Sequence, residues 1–203
     1  MKRLFFTLLL SAALCSVSFA QRFRVGLRTG VNIADFSLPA TSSDDGVLTT
    51  GRSKAGFEAS LAARLAITKH INIQTEFEYD RVNYAFHLSG TSGIRDITVN
   101  TNRIEIPLLL GLDFGPVRLF GGASFRISHN EKSSAPSLFG IKFDDSKVAL
   151  TGGAGLNIRR FFLEGRITGY PKGSTNIVRL NGNDYRIDTR RYHKWSISAG
   201  VLF

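Results

Sequence analysis

Fourteen ionisable residues recur at even spacings within short segments: Arg24, Arg28, Glu58, Arg64, Glu76, Glu78, Asp80, Arg103, Glu105, Arg118, Arg126, Glu164, Arg166 and Lys194. Residues two apart on an extended chain share a face. Runs such as Glu76-x-Glu78-x-Asp80 and Glu164-x-Arg166 therefore aim charges of both signs into one space. Eight cations facing six anions could do one of two things. Interlocked as ion pairs, they would fill a low-dielectric interior in which an isolated charge is costly. Left open, with an excess of positive charge, they would line a narrow anion-preferring pore. An interior small enough to be filled by its own side chains favours the plug.

Other groups could carry chemistry. The histidines are His70, His87, His129 and His193, and Ser128-His129 and His87-Leu88-Ser89 place a hydroxyl near an imidazole. Neither pair shows the oriented base and nucleophile that catalysis requires, so an enzyme, for example a lipid-modifying one, is not expected. Asp44-Asp45 and Asp144-Asp145 lack a third ligand at a recognisable spacing, and no metal or cofactor is expected. Cys15 is the one cysteine, which excludes a thiolate metal site. The segment from Pro171 to Tyr192 is basic. Arg190, Arg191 and the following Lys194 are candidates for contact with acidic lipid headgroups.

The elements that position these groups alternate with a period of two, the strand signature. Apolar residues at Phe23–Ile33, Phe57–Ile67, Ile71–Tyr79, Ile104–Leu112, Val117–Ile127, Val148–Ile158, Phe161–Ile167 and Trp195–Phe203 mark eight strands of about ten residues. The charged residues fall between them on the opposite face. Ala55 to Ile67 also fits helical spacing, but its neighbours favour a strand. Pro107 cannot donate to a ladder, so a bulge or a missing hydrogen bond is expected there.

The connections alternate in length. Thr68 to His70, Asp113 to Pro116 and Arg159-Arg160 are tight. Ala34 to Lys54, His87 to Thr98, His129 to Lys147 and Pro171 to Tyr192 are long, and Asn181-Gly182 reads as a hairpin tip within the last. Short-long alternation around an even number of antiparallel strands is the plan of outer-membrane barrels, with both termini on the periplasmic side. A soluble periplasmic ligand-binding barrel would invert the faces. It would crowd Phe and Leu along the axis and leave Gly and Ala to water. Lipid outside and charge inside uses the pattern better.

Composition agrees. The chain has 20 Gly and 16 Phe, one Met and one Trp, and a formal charge of +10. Phe23, Phe161 and Phe203 are expected at one rim, and Phe57, Tyr79, Phe125 and Trp195 at the other, as two aromatic girdles. Residues 1–20 read as a signal peptide. Lys2-Arg3 is its positive start, Leu4 to Cys15 its apolar run, and Ser18-Phe19-Ala20 its cleavage site. Leu14 before Cys15 argues against a lipoprotein signal. Residues 21–203 are then one outer-membrane β-barrel domain. An exported basic protein meets no nucleic acid. Its expected partners are outer-membrane lipid and lipopolysaccharide, the assembly machinery through the strand ending at Phe203, and an unidentified protein at the long loops.

Three stretches resemble a known family. Gly26-Leu27-Arg28-Thr29-Gly30-Val31-Asn32 is similar to a Gly-spaced first strand ending in Asn. Arg103-Ile104-Glu105-Ile106-Pro107-Leu108-Leu109-Leu110 resembles a Glu-Ile-Pro-Leu fourth strand. Leu163-Glu164-Gly165-Arg166 resembles an acidic-then-basic seventh strand, although Ile167 stands where an aromatic is frequent. The likeness is to the PorT-like small outer-membrane β-barrels, eight-stranded domains of the OmpA and OmpX type. It implies that fold, and a link to protein secretion in some members.

Overall fold

The computed structural model describes residues 22–37, 41–43, 46–50, 54–90, 93–133, 139–144, 147–170, 175–180, 183–188 and 191–203. Residues 1–20, for which a signal peptide is expected, lie outside them, as do Asp44-Asp45, Asp145, the expected hairpin tip Asn181-Gly182 and Arg190, and the side chain of Arg191.

Among the described residues thirteen strands form: β1 (Phe23–Ser37), β2 (Thr41–Ser43), β3 (Gly46–Thr50), β4 (Lys54–Ala66), β5 (Ile71–Gly90), β6 (Gly93–Phe114), β7 (Val117–Ser133), β8 (Phe139–Asp144), β9 (Val148–Ile158), β10 (Phe161–Gly169), β11 (Thr175–Leu180), β12 (Asn183–Asp188) and β13 (Arg191–Leu202). Eight of them pair antiparallel in the ring β1-β4-β5-β6-β7-β9-β10-β13, and β13 returns to β1. The sheet is therefore closed, and closure removes the edges that an open sheet would expose. Ala55 to Ala66 is strand, as its alternating neighbours implied, and Ile67 begins the turn; β4 buries Glu58, Ser60, Ala62 and Arg64 in succession.

The tight connections cluster at one end of the ring. Phe114 pairs with Val117 around Gly115-Pro116, and Ile158 with Phe161 around Arg159-Arg160. The first central residue has positive φ in both, 64° at Gly115 and 57° at Arg159. Positive φ there suits the twist of a two-residue hairpin, yet one of the two positions is not a glycine.

At the other end the expected loops are largely strand. Residues His87 to Thr98 do not form a long loop. β5 and β6 run on in unbroken register to Gly90 opposite Gly93, so this connection is a hairpin that prolongs the wall. β3 lies against its flank, from Val47 opposite Ser89 to Thr50 opposite Phe86. β11 and β12 pair around Asn181-Gly182, and β8 joins β11, which makes a separate three-stranded sheet from the two last long connections.

Two irregularities matter. Around Pro107 the β5–β6 ladder skips from Thr75 opposite Leu108 to Glu78 opposite Glu105, because proline offers no N–H. On the other flank the β6–β7 register shifts between Ile104 and Glu105. The extra β7 residue sits around Ile127, and beyond it the faces exchange. Ser128 therefore pairs with Ile104 and joins the outer face, not the charged face on which strict alternation placed it.

Candidate functional site: the charged lumen

Burial in this molecule is inverted. Leu61, Ile158, Phe161 and Ile197 are all more than 60% exposed, while Arg118 and Asp80 are completely buried. A soluble monomer rarely shows a continuous apolar surface beyond a few hundred Å², and here it encircles the ring. The seven aromatic residues assigned to girdles, Phe23, Phe57, Tyr79, Phe125, Phe161, Trp195 and Phe203, all face outward and are exposed. The rings of Phe57 and Tyr79 lie 5.7 Å apart. From Trp195 to Phe203 the chain rises roughly 20–25 Å, the height of an outer-membrane apolar band.

Inside, alternation brings the charges together from opposite walls. Arg166 on β10 reaches Glu76 on β5, diametrically across the ring, and holds Glu164 at 2.6 Å. Arg28 on β1 meets Glu58, takes Glu76 at 2.9 Å through Nε and Glu78 at 2.6 Å through Nη2. Glu164 also accepts Arg118 at 2.7 Å and Arg64 at 3.2 Å. Glu76, Glu78 and Glu164 thus each serve two or more cations, the arrangement that makes burial of charge tolerable.

Lys194 enters from β13 and lies 2.9 Å from Asp80, 3.1 Å from Glu78 and 3.8 Å from Glu58. Those three acids bring one oxygen each within 4.8 Å of one another, a spacing a divalent ion could bridge. The ammonium of Lys194 stands against all three, so the chain supplies the cation itself. This corrects the expectation that Lys194 touches lipid headgroups. Its side chain is 3% exposed and points into the lumen.

Towards the long-loop end, Glu105 is held by Tyr170 at 2.8 Å and Ser124 at 2.9 Å, with Arg126 at 3.6 Å. The guanidinium groups of Arg126 and Arg103 lie 4.7 and 5.9 Å from the Tyr170 ring, and Arg103 donates to Tyr84 at 2.7 Å. Cation–π contacts of this kind add to the support of these charges.

One predicted member departs and one is new. Arg24 faces the lumen side of β1 but is exposed in the tight-turn mouth, outside the network. Asp113, absent from the predicted set, binds Asn72 at 2.7 Å and Asn157 at 3.2 Å and lies 3.9 Å from Arg118. The described lumen therefore carries seven cations against seven anions, without the positive excess that an anion-selective pore would use.

Sequence alternation also missed the inward aromatics. Phe120 and Phe162 are buried inside, where Arg118 and Arg166 lie 4.9 and 5.3 Å from the Phe120 ring and Arg64 lies 5.3 Å from Phe162. Space for them comes from the glycines paired with them on neighbouring strands. A Cβ on Gly153 would strike the Phe120 ring, and one on Gly200 the Phe162 ring. The parity of Phe120 and Phe162 with Arg118 and Glu164 was the available signal.

The remaining void between Glu58, Glu78, Glu105, Arg166 and Lys194 is about 10 Å³, room for about one water molecule. Of the residues considered for catalysis, Ser128 and His129 pair with Ile104 and Arg103 and so point to opposite faces of β7. His70 sits in a tight turn with Nδ1 3.0 Å from the Asp113 carbonyl.

A closed eight-stranded ring, aliphatic outside and charge-filled inside, is an integral outer-membrane β-barrel. Residues 19–168 match the family described as outer membrane protein beta-barrel domain, and the chain belongs to that family. Among solved structures it is similar to the outer membrane protein AlkL in lipid bilayers, at 12% identity, 90% of each chain and a TM-score of 0.53. It is also similar to Ail, the attachment invasion locus protein of Yersinia pestis, at 13% identity, 90% of this chain, 99% of that one and a TM-score of 0.47. Neisserial surface protein A gives 15% identity, 89% and 97% coverage and a TM-score of 0.45. No curated protein matches the chain.

Proposed function

We propose that the barrel is a non-conducting, non-enzymatic scaffold that displays its long-loop end outside the cell. The role is structural or interactive: adhesion, envelope integrity or assistance to secretion. The observation that carries this reading is the balanced network across the lumen, whose central void is about 10 Å³. A hydrated ion would have to break several ion pairs to pass. The prolonged β5–β6 hairpin and the sheet of β8, β11 and β12 are the surface offered to a protein partner. The Arg103–Leu110 stretch supports placement with the PorT-like members, and hence the secretion role. The tight-turn end, where Arg22 and Phe203 lie, then faces the periplasm, and lipid with lipopolysaccharide covers the outer face.

Planar-bilayer recording tests the plug. The refolded barrel should give no steady ohmic current, and a reproducible conductance would overturn the reading. Orientation is tested with single cysteines at Asn181 and Lys69, since Cys15 is the one native thiol. An impermeant maleimide on intact cells should label the first and not the second.

A further inference from the structure

The tight-turn mouth is a blind funnel of about 240 Å³, closed above by the charge network. Arg22, Arg24, Lys69, Arg159 and Arg160 line it and are exposed. They come from four places in the chain: the approach to β1, β1 itself, the β4–β5 turn and the β9–β10 turn. Asp113 is the acid in this lining, and Asn72 and Asn157 already engage it. Among the described residues, five exposed positive charges thus converge on a concave space whose carboxylate, Asp113, is already engaged and is the same acid that completes the lumen's count. Like charges gathered beside a low-dielectric wall focus a potential that draws anions.

A second observation singles out one of the five. Arg159 holds φ 57° at the position where the sister turn has Gly115. A side chain disfavours that conformation, and backbone strain tends to persist where function keeps it. The strained residue here is a guanidinium in the funnel wall. A guanidinium grips two phosphate oxygens through parallel N–H donors, as it does a carboxylate, and neighbouring guanidinium groups can engage the further oxygen that a phosphate has and a carboxylate or halide lacks.

We infer that the tight-turn mouth is a binding site for a phosphate-bearing anion, held chiefly by Arg24, Arg159 and Arg160. The site is independent of which side of the membrane the mouth faces and of whether the lumen conducts.

The test is calorimetric titration of inorganic pyrophosphate into the mature barrel, folded in a non-ionic detergent at low salt. Saturable one-to-one binding is expected, weakening steeply as salt rises. The triple variant Arg24→Ser, Arg159→Gly, Arg160→Ser should bind at least tenfold more weakly while keeping its heat-modifiable gel shift. Gly at 159 suits the turn and the other two side chains are exposed, so the fold should persist. A parallel arm asks for the source of the phosphate. Retention of phosphatidylglycerol through delipidation, displaced by pyrophosphate and lost in the variant, assigns a lipid headgroup. Pyrophosphate binding without lipid retention assigns a soluble phosphate compound. Absence of saturable binding in both arms, or equal binding by the triple variant, overturns the inference; an acidic protein segment would then be the occupant to seek.

Discussion

The lumen and the tight-turn mouth lie a few residues apart on the same strands, yet they treat charge in opposite ways. In the lumen Glu164 serves Arg64, Arg118 and Arg166, and Glu76 serves Arg28 and Arg166. In the mouth Arg24, Lys69, Arg159 and Arg160 stand exposed beside Asp113, the one acid among the described lining residues. The difference follows from solvent. Water screens the mouth, so cations can gather there at small cost. The lumen excludes water, so each cation must bring its anion.

The largest test of that contrast is Glu164→Ala. It removes the acid that the buried Arg64, Arg118 and Arg166 share and should cost ~3–5 kcal/mol in urea unfolding of the lipid-embedded barrel. A loss below ~1 kcal/mol would mean that water reaches the lumen. Lys194→Ala comes next, with a loss of ~2–3 kcal/mol, because Arg28 and Asn32 remain to hold part of the acid cluster. The vacated space between Glu58, Glu78 and Asp80 should then accept calcium, and added calcium should raise the melting temperature of this variant but not of the native barrel.

Packing gives a smaller effect. Gly153→Val forces a branched side chain against Phe120, and the overpacking should cost ~1–3 kcal/mol by the same unfolding measurement. The mouth should respond least. Arg24→Ser and Arg160→Ser should each change stability by under ~0.5 kcal/mol. Arg159→Gly should stabilise by up to ~1 kcal/mol as the left-handed strain is relieved. If the mouth variants cost as much as Glu164→Ala, the mouth is part of the packed interior and the contrast fails.

The ring was legible in the sequence because a two-residue period leaves little choice of face when one side meets lipid. Glu76-x-Glu78-x-Asp80 needed only that rule. What escaped it had local causes. Pro107 announced a bulge or a missing hydrogen bond but not that the register shift would fall between Ile104 and Glu105 on the β7 flank, since a bulge depends on both strands. Ser128 changed face for that reason. Asp113 was assigned to a turn because the end of a strand is set by pairing, which the sequence does not display. The prolonged β5–β6 hairpin carries polar residues on both faces, as a wall standing clear of lipid can, so its composition read as loop. Arg24 had the right parity, but its depth along the axis could not be deduced from spacing.

The seam between β1 and β13 has a consequence in time. Its twelve paired positions, from Gly26 opposite Leu202 to Ser37 opposite Arg191, join the two ends of the domain, and closing so long a stretch of chain is entropically the slowest contact to form. Arg166 meets Glu76, and Lys194 meets Asp80, across walls that face each other only once that seam has zipped. Before then those carboxylates and cations are hydrated separately. Dehydration of the lumen is therefore coupled to the sealing of the seam, since the ion pairs that make a dry interior tolerable span walls that the seam holds together.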